Sequence, residues 1–166
     1  MKKYILDLTV RETVAVGKQA ILLRLTADEP LPEMLAGQFV EVRVDQTPSV
    51  MLRRPISIHY FTKENNELGL LVQLVGDGTR WMATLKAGDT VNLVLPLGNG
   101  FTLPADATAR PLLIGGGVGV APLLYLGMKL REMGTTSVLG SLSAVSSGLG
   151  ATSMLGSLST PGSGLS

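Results

Sequence analysis

The chain has 166 residues, a net charge of +1 and only 16% charged residues, which suits one domain of ordinary size or a small domain plus a piece of another. It leaves no basic face for nucleic acid. With no cysteine and one histidine, His59, disulfides, thiolate zinc sites and an iron–sulfur cluster bound by this chain are excluded.

The N-terminus, Met1-Lys2-Lys3-Tyr4, runs straight into an alternating pattern without an apolar leader, so a cytoplasmic protein is expected. Up to about Leu103 the pattern is all-β. Residues 4–16 mix β-branched and polar side chains, 21–25 form a short apolar run, and 38–44 alternate Phe39, Glu41 and Arg43 against Val40, Val42 and Val44. Pro30-Leu31-Pro32 cannot continue a ladder and reads as a connection. Further strands are expected at 55–61, 68–75 and 90–95, with the polar stretch 63–67 as a hairpin turn. Thr79 is placed to cap a short helix holding Trp81, Met82 and Leu85, which Lys86-Ala87-Gly88-Asp89 ends. Roughly six short strands at fairly even spacing predict a small, closed or nearly closed antiparallel barrel, a mainly β fold.

After Pro104 the period changes. Pro111-Leu112-Leu113-Ile114 reads as a buried parallel strand, and such runs are far too short to span a bilayer. Gly115-Gly116-Gly117-Val118-Gly119 is a tight turn, and residues 120–133 carry apolar side chains at helical spacing up to Gly134. This is the opening of an α/β nucleotide-type unit, with one further strand expected around 137–139. Beyond Glu132 no charged residue remains. The Ser/Gly/Leu tail repeats Ser137-Val138-Leu139-Gly140-Ser141-Leu142-Ser143 as Ser153-Met154-Leu155-Gly156-Ser157-Leu158-Ser159. Its composition predicts disorder or weak attachment, the alternative being strand-like docking of the first copy on the Ile114 strand. An incomplete sheet of this kind would leave an unpaired apolar edge prone to association.

Four stretches carry chemistry. Leu52-Arg53-Arg54-Pro55-Ile56-Ser57-Ile58 places a guanidinium and a hydroxyl near one ligand, as a pyrophosphate would require, or is simply two solvated arginines opening a strand. Val75-Gly76-Asp77-Gly78-Thr79-Arg80 lets backbone and helix-start amides approach a phosphate, or is an ordinary glycine turn. Pro96-Leu97-Gly98-Asn99-Gly100-Phe101 is a turn closing the barrel. Gly115-Gly116-Gly117-Val118-Gly119-Val120-Ala121-Pro122, between strand and helix, suits a nucleotide turn, although no acidic residue follows to hold a ribose. His59 reads as a surface or strand-end residue rather than a proton donor, and Trp81 as packing. Apart from Arg54 and its neighbour Arg53, the lysines and arginines read as solvated.

In this order the four stretches resemble the ferredoxin–NADP reductase superfamily. Within it they are most similar to the electron-transfer subunit of heteromeric dihydroorotate dehydrogenase, with Gly37-Gln38-Phe39-Val40, residues 52–58 and 118–126 carrying the likeness over roughly 4–134. The resemblance implies an FAD site in which Arg54 pairs with the pyrophosphate and Pro55, Ile56 and Ser57 lie against the flavin end. It implies that Leu71, Val72 and Gln73 border the flavin, that Gly78 and Thr79 close on the pyrophosphate, and that Gly115, Gly116, Gly117 and Gly119 receive NAD. It further implies an FMN-containing catalytic partner, electrons crossing a [2Fe–2S] cluster to FAD and then NAD, and no nucleic-acid or membrane partner.

Two departures qualify this. The cluster's cysteine ligands are absent, and most of the nucleotide domain is replaced by the tail, as truncation, a frame shift or a non-native extension would produce. The expected organisation is an FAD-binding barrel over 1–103, the first strand-turn-helix of a pyridine-nucleotide domain over 104–134, and a low-complexity tail over 135–166. Alone, such a chain is not expected to complete the electron path. The alternatives are a stand-alone flavin reductase or another oxidoreductase's reductase subunit, and a non-enzymatic docking module.

Overall fold

The computed structural model describes residues 2–45, 47, 49–106, 108–135, 138–142 and 155–157. Six strands form the body of the fold: β1 (Tyr4–Val16), β2 (Ala20–Thr26), β3 (Phe39–Val42), β4 (Arg54–Thr62), β5 (Glu67–Gln73) and β6 (Thr90–Leu97). They close an antiparallel barrel in the order β1-β2-β5-β4-β3-β6. Every second side chain points inward, so Leu8, Leu23, Leu25, Val40, Val42, Leu68, Leu70, Leu93 and Leu95 share one buried core. The mainly β expectation therefore holds, and residues 63–67 make the expected turn, with the Asn66 amide donating to the Lys63 carbonyl.

Among the described residues three register shifts interrupt the wall: one lies between Phe39 and Glu41 on the β3–β6 pairing, and the other two move side chains or backbone groups out of the ladder. The first of these two falls between Val10 and Glu12, where β1 stops pairing with β6 and continues along β2. There the Val10 amide donates to the Asp89 carbonyl and Val10 accepts from Gly88, so the irregularity leaves no orphan at that residue. The second lies between Ile58 and Tyr60, which face Leu70 and Gly69, making His59 the extra residue. Ile58 and Phe61 point inward, and His59 and Tyr60 are left between them, on the outer face.

Tyr60 lies across Gly69, where an added Cβ would meet its ring at 2.2 Å, so only glycine fits. The Tyr60 hydroxyl donates to Glu67 at 2.6 Å, Arg24 donates to the same carboxylate at 3.1 Å, and Arg11 approaches it at 3.4 Å. Arg24 also reaches Glu12 at 3.0 Å. Arg11 and Arg24, expected to be merely solvated, thus belong to a network around a carboxylate whose side chain is only 6% exposed. Burial alone would push Glu67 up, but the bonds from Tyr60 and Arg24 outweigh it and hold the carboxyl below its usual range. The Tyr60 phenol is pushed up to about 12, first by burial and then by the bond to Glu67.

Between β5 and β6 lies α1 (Asp77–Met82). Beyond the barrel come β7 (Leu112–Gly116), a 3₁₀ turn (Gly117–Val120) and α2 (Ala121–Glu132), which packs on β4. Tyr125 of α2 is buried and donates to the Met34 carbonyl at 2.8 Å. Gly134, at φ +75°, ends the helix as expected. The strand β8 (Val138–Leu142) pairs in parallel with β7, and β9 (Leu155–Ser157) pairs antiparallel with β8. The first copy of the repeat therefore docks on the Ile114 strand, and the disorder expected elsewhere in the tail lies outside the described residues. β7 ends its sheet with Leu112 and Ile114 exposed. Among the described residues no helix is long and apolar enough to cross a membrane.

Because the folded-state pKa of Glu67 lies below its unfolded value, its contribution is complete above the unfolded pKa and is lost as pH falls through the folded one. Glu67→Ala, which takes the carboxylate from the Tyr60 phenol and Arg11 while Arg24 keeps Glu12, is expected to cost about 2 kcal/mol at neutral pH. It should also flatten the acid limb of stability. Urea unfolding of both proteins between neutral pH and about pH 3 measures both effects, and an unchanged acid limb would remove Glu67 from the account.

Candidate functional site

Outside the barrel, where β4 and β5 leave the core and α1 begins, lies a cavity of about 400 Å³. Its floor is Arg54, Pro55, Ile56 and Ser57 from β4 and Leu71, Val72 and Gln73 from β5. Val118, Gly119, Ala121 and Pro122 form the opposite wall. The lining is mostly apolar with a few polar groups, the make-up of a site for a flat, largely apolar molecule. A second hollow of about 330 Å³ adjoins it, lined by Ser49, Val50 and the glycine segment 76–79 and sharing Arg54, Val75 and Thr79. A third, of about 510 Å³, lies between the β1–β2 hairpin and the 3₁₀ turn and shares Leu71, Gln73 and Val118.

The adjacent arginines have different work. Arg53 donates to the carbonyls of Glu41 and Asn92 and to the Asn92 side chain, which itself donates to Asp7 at 2.6 Å. It staples the seam of β1, β3 and β6, contrary to a solvated or ligand-facing role. The guanidinium of Arg54 makes no ion pair or hydrogen bond among the described residues. It lies over Gly78, where an added Cβ would sit 3.0 Å from Arg54 Nε and 3.2 Å from Val44. A half-buried cation between two hollows, with no partner among the described residues, is placed to receive an anion.

Thr79 is not the cap of α1. Gly76 takes that position, and Thr79, three residues in, accepts from the Val75 and Gly76 amides at 3.0 and 3.1 Å while donating to the Gly76 carbonyl at 2.9 Å. Those two amides are therefore committed to the turn, and Arg54 faces the same hollow as Asp77 and Gly78 at the start of α1. The helix ends at Met82 rather than reaching Leu85, although Met82 and Leu85 both enter the core.

The glycine turn divides in function. Gly119 lines the cavity and Gly117, at φ +53°, lines the hairpin-side hollow. Gly115 and Gly116 line neither and belong to β7. A Cβ on Gly115 would strike Leu123 at 2.8 Å, so this glycine serves helix–strand packing. His59, expected at the surface, is half-buried and its Nδ1 lies 2.6 Å from the Ala121 carbonyl. A carbonyl only accepts, so the proton is on Nδ1.

Of the residues singled out in the sequence, Arg54, Pro55, Ile56, Ser57, Leu71, Val72, Gln73, Thr79 and Gly119 meet at one cavity, and Gly78 lies in the adjoining hollow. Val75, Val118, Ala121 and Pro122 also line it without having been singled out individually. Their signal was position beside the glycines. The Pro96–Phe101 turn closes the barrel from a distance: Gln38 donates to the Gly98 carbonyl and Phe101 to that of Ala36.

No protein-family model matches the chain. It is similar to curated proteins named dihydroorotate dehydrogenase B (NAD(+)), electron transfer subunit. The one from Shouchella clausii is 39% identical over 139 residues, covering 82% of this chain and 54% of the relative. The one from Lysinibacillus sphaericus is 44% identical over 117 residues, covering 68% and 45%. The chain thus spans about half the length of the curated relatives it matches. Among solved structures it resembles an NADH-dependent reduced ferredoxin–NADP oxidoreductase (TM-score 0.69, 28% identity, 81% of this chain and 48% of that one). It also resembles a phthalate dioxygenase reductase (TM-score 0.71, 27% identity, 84% and 44%).

Thr79→Val keeps the side-chain volume but removes the oxygen that binds three backbone groups. We expect a loss of about 1–2 kcal/mol in unfolding free energy, measured by urea titration. An unchanged midpoint would mean that the turn holds itself without the hydroxyl.

Proposed function

The chain is a sequence relative of the electron transfer subunits of dihydroorotate dehydrogenase B and has the ferredoxin–NADP reductase-like barrel, and from this we propose that it is the FAD-binding part of such a subunit. In this reading it works in the cytoplasm, beside an FMN-containing catalytic partner, on the path from dihydroorotate oxidation to NAD. Residues 1–103 are the FAD-binding unit, 104–134 begin the pyridine-nucleotide unit, and 135–166 are a low-complexity appendage.

The observation that carries the proposal is the pair of joined hollows sharing Arg54. One is apolar enough for a flavin ring and the other is bordered by a cation and close-packed glycine backbone, as a pyrophosphate needs. Arg54 would hold the pyrophosphate. Gly78 admits it by carrying no Cβ, and Thr79 keeps the turn in shape. Ile56, Leu71 and Val72 exclude water from one side, with Val118 and Pro122 on the other. Ser57 and Gln73 supply the polar contacts that fix orientation. FAD, when bound, supplies the redox chemistry, and the protein supplies binding, placement and tuning. NAD would dock on the Gly117–Gly119 side, where the third hollow opens against the same β5 residues. With no cysteine in the sequence, a [2Fe–2S] centre would need ligands from outside these residues.

Purified protein mixed with FAD and freed of excess should show flavin absorption near one equivalent, and a colourless product would sink the proposal. Arg54→Gln should weaken retention by about 2 kcal/mol, roughly thirtyfold, because a charge-assisted contact is lost. Bleaching of bound FAD by NADH or NADPH without a partner would favour a stand-alone reductase, the reading supported by the likeness to reductases.

A further inference from the structure

We propose that His59 is a positioning residue for the cavity: by donating Nδ1–H to the Ala121 carbonyl it holds the 118–122 wall against the β4–β5 floor. The inference rests on the flavin reading of that cavity. Its basis is the place of His59 in the chain. Ser57, two residues earlier, lines the floor, and Ala121, the acceptor, is part of the wall. One side chain therefore joins the two sides of the cavity without lining it.

The bulge makes this possible. In an unbroken ladder Tyr60 would follow the inward parity of Ile58. With His59 as the extra residue, His59 leaves the ladder towards α2 while Tyr60 stays outside over Gly69. The acceptor is the carbonyl of the first α2 residue, itself buried, directly after the 3₁₀ turn that carries Val118 and Gly119. Holding that carbonyl fixes the point from which the turn departs. The helix has a second tether, from Tyr125 to the Met34 carbonyl, but neither residue lines the cavity. The two bonds should thus be separable. One sets how α2 sits on the barrel and the other sets the spacing of the cavity walls.

The test uses the full chain, FAD as probe, and three readouts: affinity by flavin fluorescence, accessibility of bound flavin to iodide, and thermal unfolding of the apoprotein. His59→Leu should weaken FAD binding about three- to tenfold, the range for one lost hydrogen bond, and raise iodide accessibility. His59→Asn, whose amide nitrogen can stand near Nδ1, should restore affinity to within about twofold. Tyr125→Phe should lower the apoprotein's unfolding temperature and leave affinity and accessibility unmoved. If His59→Leu does not fold, His59→Gln, with its donor displaced along the side chain, takes its place with the same expectation. Wild-type affinity and accessibility in the Leu or Gln variant overturn the proposal, as does a Tyr125→Phe protein that loses affinity in proportion to its stability. Failure of the wild-type chain to take up FAD overturns the flavin reading and this inference together. Binding by wild type with no effect at position 59 overturns this inference alone.

Discussion

The long strand β1 pairs along its first half with β6 and along its second half with β2, so the six strands close on themselves and every strand has two neighbours. Closure leaves no free edge in this sheet and gives the alternating apolar side chains one dry interior. With the inner face consumed by packing, chemistry is confined to the outer face and the rims. The cavity occurs where β4 and β5 emerge beside α1 and a second element, the 3₁₀ turn with α2, covers them.

Departures from regular pleating then set the details. The bulge at Val10 lets β1 change partners, with the Gly88–Asp89 turn taking its backbone groups. The bulge at His59 releases two side chains to the outside, one bound to α2 and the other to Glu67. Close approach is granted by particular glycines. Gly69 admits the Tyr60 ring, Gly78 admits the Arg54 side chain and Gly115 admits Leu123. In each case a neighbour stands where a Cβ would go, most tightly at Gly69, where the Tyr60 ring lies 2.2 Å away.

Charge is divided with similar economy. The guanidinium groups of Arg11, Arg24 and Arg53 are committed to carboxylates or backbone oxygens. Arg54, one residue from Arg53, has no ion pair or hydrogen bond among the described residues and stands at the junction of two hollows. A half-buried cation with no ion pair or hydrogen bond among the described residues can take an anionic ligand, and this is the strongest electrostatic reason to regard the cavity as a ligand site.

Much of this was legible in the chain. β-branched and apolar runs set between turn residues, with alternation at 38–44, marked all six strands to within a few residues, since such patterns are local and need no knowledge of partners. The glycine stretches and the run from Arg54 to Ser57 marked the site, because close backbone approach restricts residue type locally. Other features were not legible. Arg53 and Arg54 are chemically identical neighbours, and only the position of Glu41 and Asn92 across the barrel makes one a staple, while the other has no partner among the described residues. Thr79 looked like a cap, and the turn's actual geometry made it the hydroxyl three residues inside. His59 looked like an exposed strand residue because a bulge leaves no mark in one strand's sequence. It is the mismatch of two strands' registers, fixed when β4 meets β5. Local patterns along the chain specify which segments are strands, where the backbone must bend and which residue types surround the site. The tertiary structure decided which side chains are paired, which are left open and what holds the walls together, since those depend on distances between residues far apart in the chain.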